Sequence, residues 1–136
     1  RGALLDAIMT LDLVPATSRH YSMARMTGVL TLLSGSAADM DEGALYEAAR
    51  RIEALPAREP RALQLRTVVL GTALEWMEAG HTPESTVPLL GVPFTRDGLR
   101  TGAETALRSL ARTARTRSHR FALVDLANAV RPKSLF

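Results

Sequence analysis

Pro60-Arg-Ala-Leu-Gln-Leu-Arg-Thr-Val-Val-Leu-Gly-Thr-Ala-Leu-Glu-Trp-Met-Glu-Ala-Gly80 is the stretch on which the fold turns. Leu63, Leu65, Val68, Val69, Leu70, Ala73, Leu74, Trp76 and Met77 are spread nearly all round a helix that turns about 100° per residue. A helix of that kind is buried against neighbours on more than one side. The spacing therefore predicts a spine helix over about 60–79. Pro60 suits its first turn, where a missing amide hydrogen has no helical partner to lose, and Gly80 suits its C-terminal cap.

Outward from the spine, every further element has a single apolar face. Upstream, Asp39 or Asp41 is placed to cap a helix of about 41–55. Leu45, Ala48, Ala49 and Ile52 point inward there, Glu42, Glu47, Arg50, Arg51 and Glu53 form the wet side, and Pro56 stops it. Before that, Thr17 or Ser18 caps a helix of about 18–34 with Met23, Met26, Leu30 and Leu33 in helical register, widened by Tyr21, Val29 and Leu32. A first element runs from about Ala3 to Leu11 and ends before Pro15. Downstream, residues 80–94 hold three prolines and two glycines and read as a long loop. Thr95 caps a helix of about 96–114 with Leu99, Ala103, Leu107, Leu110 and Ala114 inward; Ser118 starts the last helix, which ends near Val130 before Pro132. The expectation is an all-α fold of about six helices in stacked antiparallel hairpins.

Composition agrees. Apolar residues make up 46% of the 136, yet aromatics only 4%, so leucine and alanine must fill the core and favour helix over strand. That length suits one domain over residues 1–136. The chain has no cysteine, which excludes a disulfide framework, a cysteine nucleophile and a thiolate metal site within it. No apolar run reaches the length of about 18 residues that a membrane helix needs. The opening Arg1-Gly-Ala-Leu-Leu-Asp-Ala-Ile reads as part of a helix begun upstream, so the chain is expected to be a C-terminal fragment of a longer protein.

Charge is divided unevenly. Residues 1–95 carry 8 Arg and 11 acidic residues, and residues 96–136 carry 9 basic and 3 acidic ones. Arg96, Arg100, Arg108, Arg112 and Arg115 form an almost continuous i, i+4 stripe interrupted by Glu104. Three readings stand: a solvated face opposite the leucines, a docking surface for an acidic protein segment or neighbouring domain, or a basic helical nucleic-acid-binding domain. Phe136 is a further docking candidate, with the tail 131–136 either frayed or seated in a groove.

Catalytic patterns are wanting. There is no glycine-rich phosphate loop, no His-Arg-Asp and no Asp-Phe-Gly. Gly98-Leu-Arg-Thr-Gly102 has two glycines inside an amphipathic helix, where close packing explains them better than phosphate binding. His20, His81 and His119 lack ligand spacing, and Ser118, His119 and Asp125 cannot form a triad because adjacent helical residues diverge by about 100°. Catalytic, cofactor and metal sites are accordingly expected to be absent from this chain.

The strict 34-residue tetratricopeptide signature is degenerate. Ala48 precedes Pro60 by the usual 12 positions, but the Trp-Leu-Gly-Tyr part is missing and Pro15 and Pro60 stand 45 apart. Longer segments carry a resemblance that the signature does not. Gly91-Val-Pro-Phe-Thr-Arg-Asp-Gly-Leu-Arg100, Leu123-Val-Asp-Leu-Ala-Asn-Ala-Val-Arg-Pro-Lys-Ser-Leu-Phe136, Val14-Pro-Ala-Thr-Ser-Arg-His20, Glu47-Ala-Ala-Arg-Arg-Ile-Glu-Ala-Leu-Pro56, Glu59-Pro-Arg-Ala-Leu-Gln-Leu-Arg66 and Leu70-Gly-Thr-Ala-Leu-Glu-Trp76 together resemble the tetratricopeptide-repeat module behind the kinase domain of the actinobacterial serine/threonine kinase family called protein kinase G. The resemblance implies a non-catalytic scaffold in a cytoplasmic kinase, serving dimerisation, kinase-domain bracing and substrate recruitment. It implies as partners the kinase domain itself, a second copy, and a forkhead-associated regulator of glutamate and 2-oxoglutarate metabolism. ATP, magnesium and a cysteine-bound metal in a rubredoxin-like module would belong to other parts of such a protein, and none of their ligands is carried over to these positions.

Overall fold

The computed structural model describes residues 29, 33, 39–56 and 60–132. Among these residues four helices follow one another: α1 (Glu42–Glu53), α2 (Pro60–Glu78), α3 (Arg96–Thr113) and α4 (Arg117–Val130). Among the described residues there is no strand, only one isolated antiparallel bridge between Leu89 and Val92. The fold is all-α, with tetratricopeptide-like stacking. The first expected helix lies outside the described residues. Of the second, Val29 and Leu33 are described: both are fully buried, and the Leu33 amide donates to the Val29 carbonyl at 3.1 Å, one helical turn back.

Three of the four described helices begin where a side chain supplies the missing acceptor. Asp41 caps α1 by accepting from the Gly43 amide, Thr95 caps α3 through Gly98, and Thr116 caps α4 through His119. The last helix thus starts one residue before the expected Ser118, because Thr116 is extended and its hydroxyl takes the amide three residues on. At the end of α2, Gly80 adopts φ 108°, its amide reaches the Met77 carbonyl and that of His81 reaches Trp76, the double closure that left-handed glycine permits.

Neighbouring helices run antiparallel. Arg96 and Arg100 at the start of α3 meet Met77 and Glu78 at the end of α2, and Arg100 also meets Val130 at the end of α4. α2 is the spine: Leu65, Val68, Val69, Leu70, Ala73, Leu74 and Trp76 are all buried. Arg61, Gln64, Thr67 and Thr72 are buried too. The two threonines donate back to the Leu63 and Val68 carbonyls, and among the described residues no buried side-chain nitrogen or oxygen lacks a partner. Contact between α2 and α3 is close because Gly102 has no side chain; a Cβ there would stand 2.9 Å from Val92 and 3.1 Å from Leu70. The close-packing explanation holds for Gly102, whereas Gly98 is required by the Pro93 carbonyl of the segment that leads into α3.

The segment 80–94 is pinned along its length. Glu42 accepts the amides of Glu84 and Ser85 at 2.9 and 3.1 Å, so this carboxylate holds the segment instead of lying on the wet side of α1. Tyr46 donates to the Val87 carbonyl. Leu89 and Val92 exchange amide bonds of 2.9 and 3.0 Å around a two-residue turn whose central Leu90 and Gly91 have φ 53° and 79°. A left-handed leucine costs on the order of 1–2 kcal/mol. Burial of Leu90 and a 3.0 Å bond from Arg66 to its carbonyl offset that strain. Phe94 then packs against Trp76 and Tyr46 with ring centroids 5.7 and 5.9 Å away, while His81 stacks flat on Trp76 at 4.9 Å. The Trp76 indole donates to the Met40 carbonyl at 2.8 Å and its side chain is 4% exposed, as a core residue should be.

Two substitutions test this packing. Trp76→Ala should lower unfolding free energy by about 3–5 kcal/mol in urea melts followed by circular dichroism, because ring burial, stacking and the Met40 bond go together. Gly98→Ala should destabilise by about 1–3 kcal/mol instead of giving the gain usual in a helix, since the new Cβ would lie 2.3 Å from the rigid Pro93 carbonyl oxygen. A neutral Gly98→Ala would show that the link into α3 is free to shift.

Candidate protein-docking surface

An i, i+4 row is not straight. Each step turns about 40° beyond a full circle, so the row from Arg96 to Arg112 winds about 160° around α3. The structure shows the consequence. Arg96, at the start, donates to the Met77 carbonyl at 3.4 Å. Arg100 divides its guanidinium between the Val130 carbonyl at 3.3 Å and the Glu78 carboxylate at 3.1 Å. Arg108 forks onto Glu104 at 2.8 and 3.0 Å and also reaches the Asn128 amide oxygen at 2.9 Å. These three arginines join α3 to its neighbours on either side and are not an open charged face.

Arg112 and Arg115 are placed differently. Arg112 lies on the last turn of α3 and is exposed; Arg115 lies beyond the helix end, in the link 114–116, and is exposed as well. Neither has an ion pair or side-chain hydrogen bond among the described residues. The link brings two more arginines to them. Arg117 and Arg120, on the first turn of α4, are also exposed and likewise unpaired among the described residues. Arg112 and Arg120 flank a shallow groove whose remaining walls are Arg108, Ala111 and Val124. On α4, one turn before Val124, Phe121 is 59% exposed. The basic corner 112–121 is therefore the candidate site. Phe136 lies outside the described residues.

Reading the stripe as a single row missed Arg117, Arg120 and Phe121. One signal marks them: residues 105–124 contain five arginines and no carboxylate. On α1, by contrast, Glu47 pairs with both Arg50 and Arg51. His81 is stacked on Trp76, and among the described residues no group of three His, Cys, Asp or Glu is arranged to hold a metal ion. No described helix is long and apolar enough to cross a membrane.

The division predicts unequal mutational effects. Arg100→Ala should cost about 1–2 kcal/mol of stability, since it frees a carbonyl at a helix junction and a carboxylate. Arg112→Ala should stay within about 0.5 kcal/mol of the parent in the same thermal or urea melts. Equal losses at both positions would contradict the geometry.

The model of the family described as "Protein kinase G tetratricopeptide repeat" matches residues 1–134. The chain is 57% identical over 131 residues to a protein of Mycolicibacterium smegmatis named serine/threonine-protein kinase PknG, an overlap of 96% of this chain and 17% of that relative. It is 53% identical over 134 residues to the protein of the same name from Mycobacterium leprae, covering 98% of this chain and again 17% of the relative. Matched over nearly its whole length and folded as stacked helical hairpins, the chain belongs to the protein kinase G tetratricopeptide-repeat family.

Proposed function

We propose that this chain is a non-catalytic helical scaffold of a cytoplasmic serine/threonine protein kinase, in which residues 1–136 act as a single repeat domain for dimerisation, kinase-domain bracing and substrate recruitment. The observation that carries this reading is the family match over residues 1–134. The pinned helical frame supports it, since a rigid surface loses little conformational freedom on binding. Phosphoryl transfer, with its ATP and magnesium, belongs in this reading to a separate kinase domain. The cysteine-bound metal belongs to a separate rubredoxin-like module, and with zero cysteines this chain supplies no thiolate to it.

The proposed partners are that kinase domain, a second copy of the chain, and a forkhead-associated regulator as substrate. A scaffold of this kind works by effective concentration: a substrate held beside the kinase meets it far more often than one free in solution. No chemistry is needed from the helices themselves. Light scattering of the chain alone, and mixed with the kinase domain of the Mycolicibacterium smegmatis relative, tests the reading. A mass above that of one chain, or a mixed complex, is the expected result. A monomer indifferent to the kinase domain would remove dimerisation and bracing from the proposal.

A further inference from the structure

We infer that the corner formed by the end of α3 and the outer face of α4 is the docking site for an acidic peptide segment that carries an apolar side chain among its carboxylates. The inference rests on reading the chain as a protein-binding scaffold and specifies the surface and the chemistry of its partner. Arg112, Arg115, Arg117 and Arg120 cluster within 9 residues of chain and are exposed, with no acidic partner among the described residues. Four like charges held this close repel one another, and a run of carboxylates relieves that repulsion while meeting guanidinium forks suited to bidentate bonding. The chain has itself met this need elsewhere: Arg100 has Glu78 and Arg108 has Glu104.

Charge alone would specify any polyanion; the apolar element narrows the choice. Phe121 is 59% exposed on α4, and one turn along the same helix Val124 forms a wall of the groove beside Ala111, with Arg112 and Arg120 at its rim. An exposed aromatic with Arg117 one turn before it and Arg120 adjacent on the same helix has the composition of binding hot spots, where a large side chain supplies contact area and the charges set orientation. Asp125, four residues after Phe121, marks the boundary of the basic region. A second copy of this chain is a poor occupant, because a two-fold contact through this face would oppose the same four arginines to each other. Nucleic acid would satisfy the charge but would make little use of a single aromatic beside an aliphatic groove.

Fluorescence anisotropy with the full 136-residue chain tests the site. The probe is a labelled peptide of alternating Glu and Asp around two leucines. Companion probes replace the leucines by serine, replace the acids by lysine, or are a single-stranded oligonucleotide. The acidic leucine peptide should bind, with affinity falling as salt is added. Phe121→Ala and the double variant Arg112→Glu/Arg120→Glu should each weaken it by about tenfold or more while leaving the circular dichroism spectrum and melting temperature unchanged. Arg50→Ala, on α1, should change nothing, and the serine and lysine peptides should bind weakly or not at all. Three outcomes overturn the inference: no binding of the acidic leucine peptide, an oligonucleotide that binds as tightly with no dependence on Phe121, or self-association of the chain that Phe121→Ala abolishes. Light scattering with the kinase domain separates the two readings. A kinase complex without binding of the acidic leucine peptide would leave the scaffold standing without this site, whereas peptide binding without a kinase complex would leave this site standing without the bracing role.

Discussion

Everything in this fold follows from the burial of α2. A helix apolar on nearly every side cannot be covered by one neighbour, so α1, α3 and the segment 80–94 must all close on it. Its polar residues obey the same constraint from inside. Thr67 and Thr72 turn their hydroxyls back to their own helix, which satisfies them without needing solvent. The aromatic group of Trp76, Phe94, Tyr46 and His81 closes the end of the spine, joining α1, α2 and the segment in one contact. Among the described residues this is where most of the chain's few rings are gathered.

The arginines divide along a physical line. Near the boundary of the apolar face, a long side chain lies along its own helix and its head reaches the polar groups of the adjacent one. Arg100 and Arg108 are of this kind and so bind the stack internally. Farther round, and beyond the helix end, Arg112 and Arg115 find no hydrogen-bond or ion-pair partner among the described residues and are exposed. The same residue type in one sequence row thus serves cohesion at one end and availability at the other.

Much of the architecture was legible in the sequence. Periodicity placed α1, α2 and α3 to within a residue or two, Pro60 and Gly80 marked the limits of α2, and the core role of Trp76 followed from its place on the spine. The start of α4 was misread by one residue because Ser118 and Thr116 are both competent caps and only backbone geometry chooses between them. The turn at Leu90–Gly91 was illegible: leucine is a poor left-handed residue, and its conformation there depends on burial and on Arg66, which stands 24 positions away. The candidate site was half legible. Its charge could be counted, but the winding of the row and the link that brings Arg117 and Arg120 beside Arg112 are properties of three dimensions.

Arg100 touches the last carbonyl of α4 and the last turn of α2 with one planar group. That side chain therefore connects α4 to α2 across α3, separately from the link 114–116 and the segment 80–94. The ends of α2 and α4 and the start of α3 thus share one planar fork. Two helices that are not consecutive in the chain are in this way held to one another through a single shared partner.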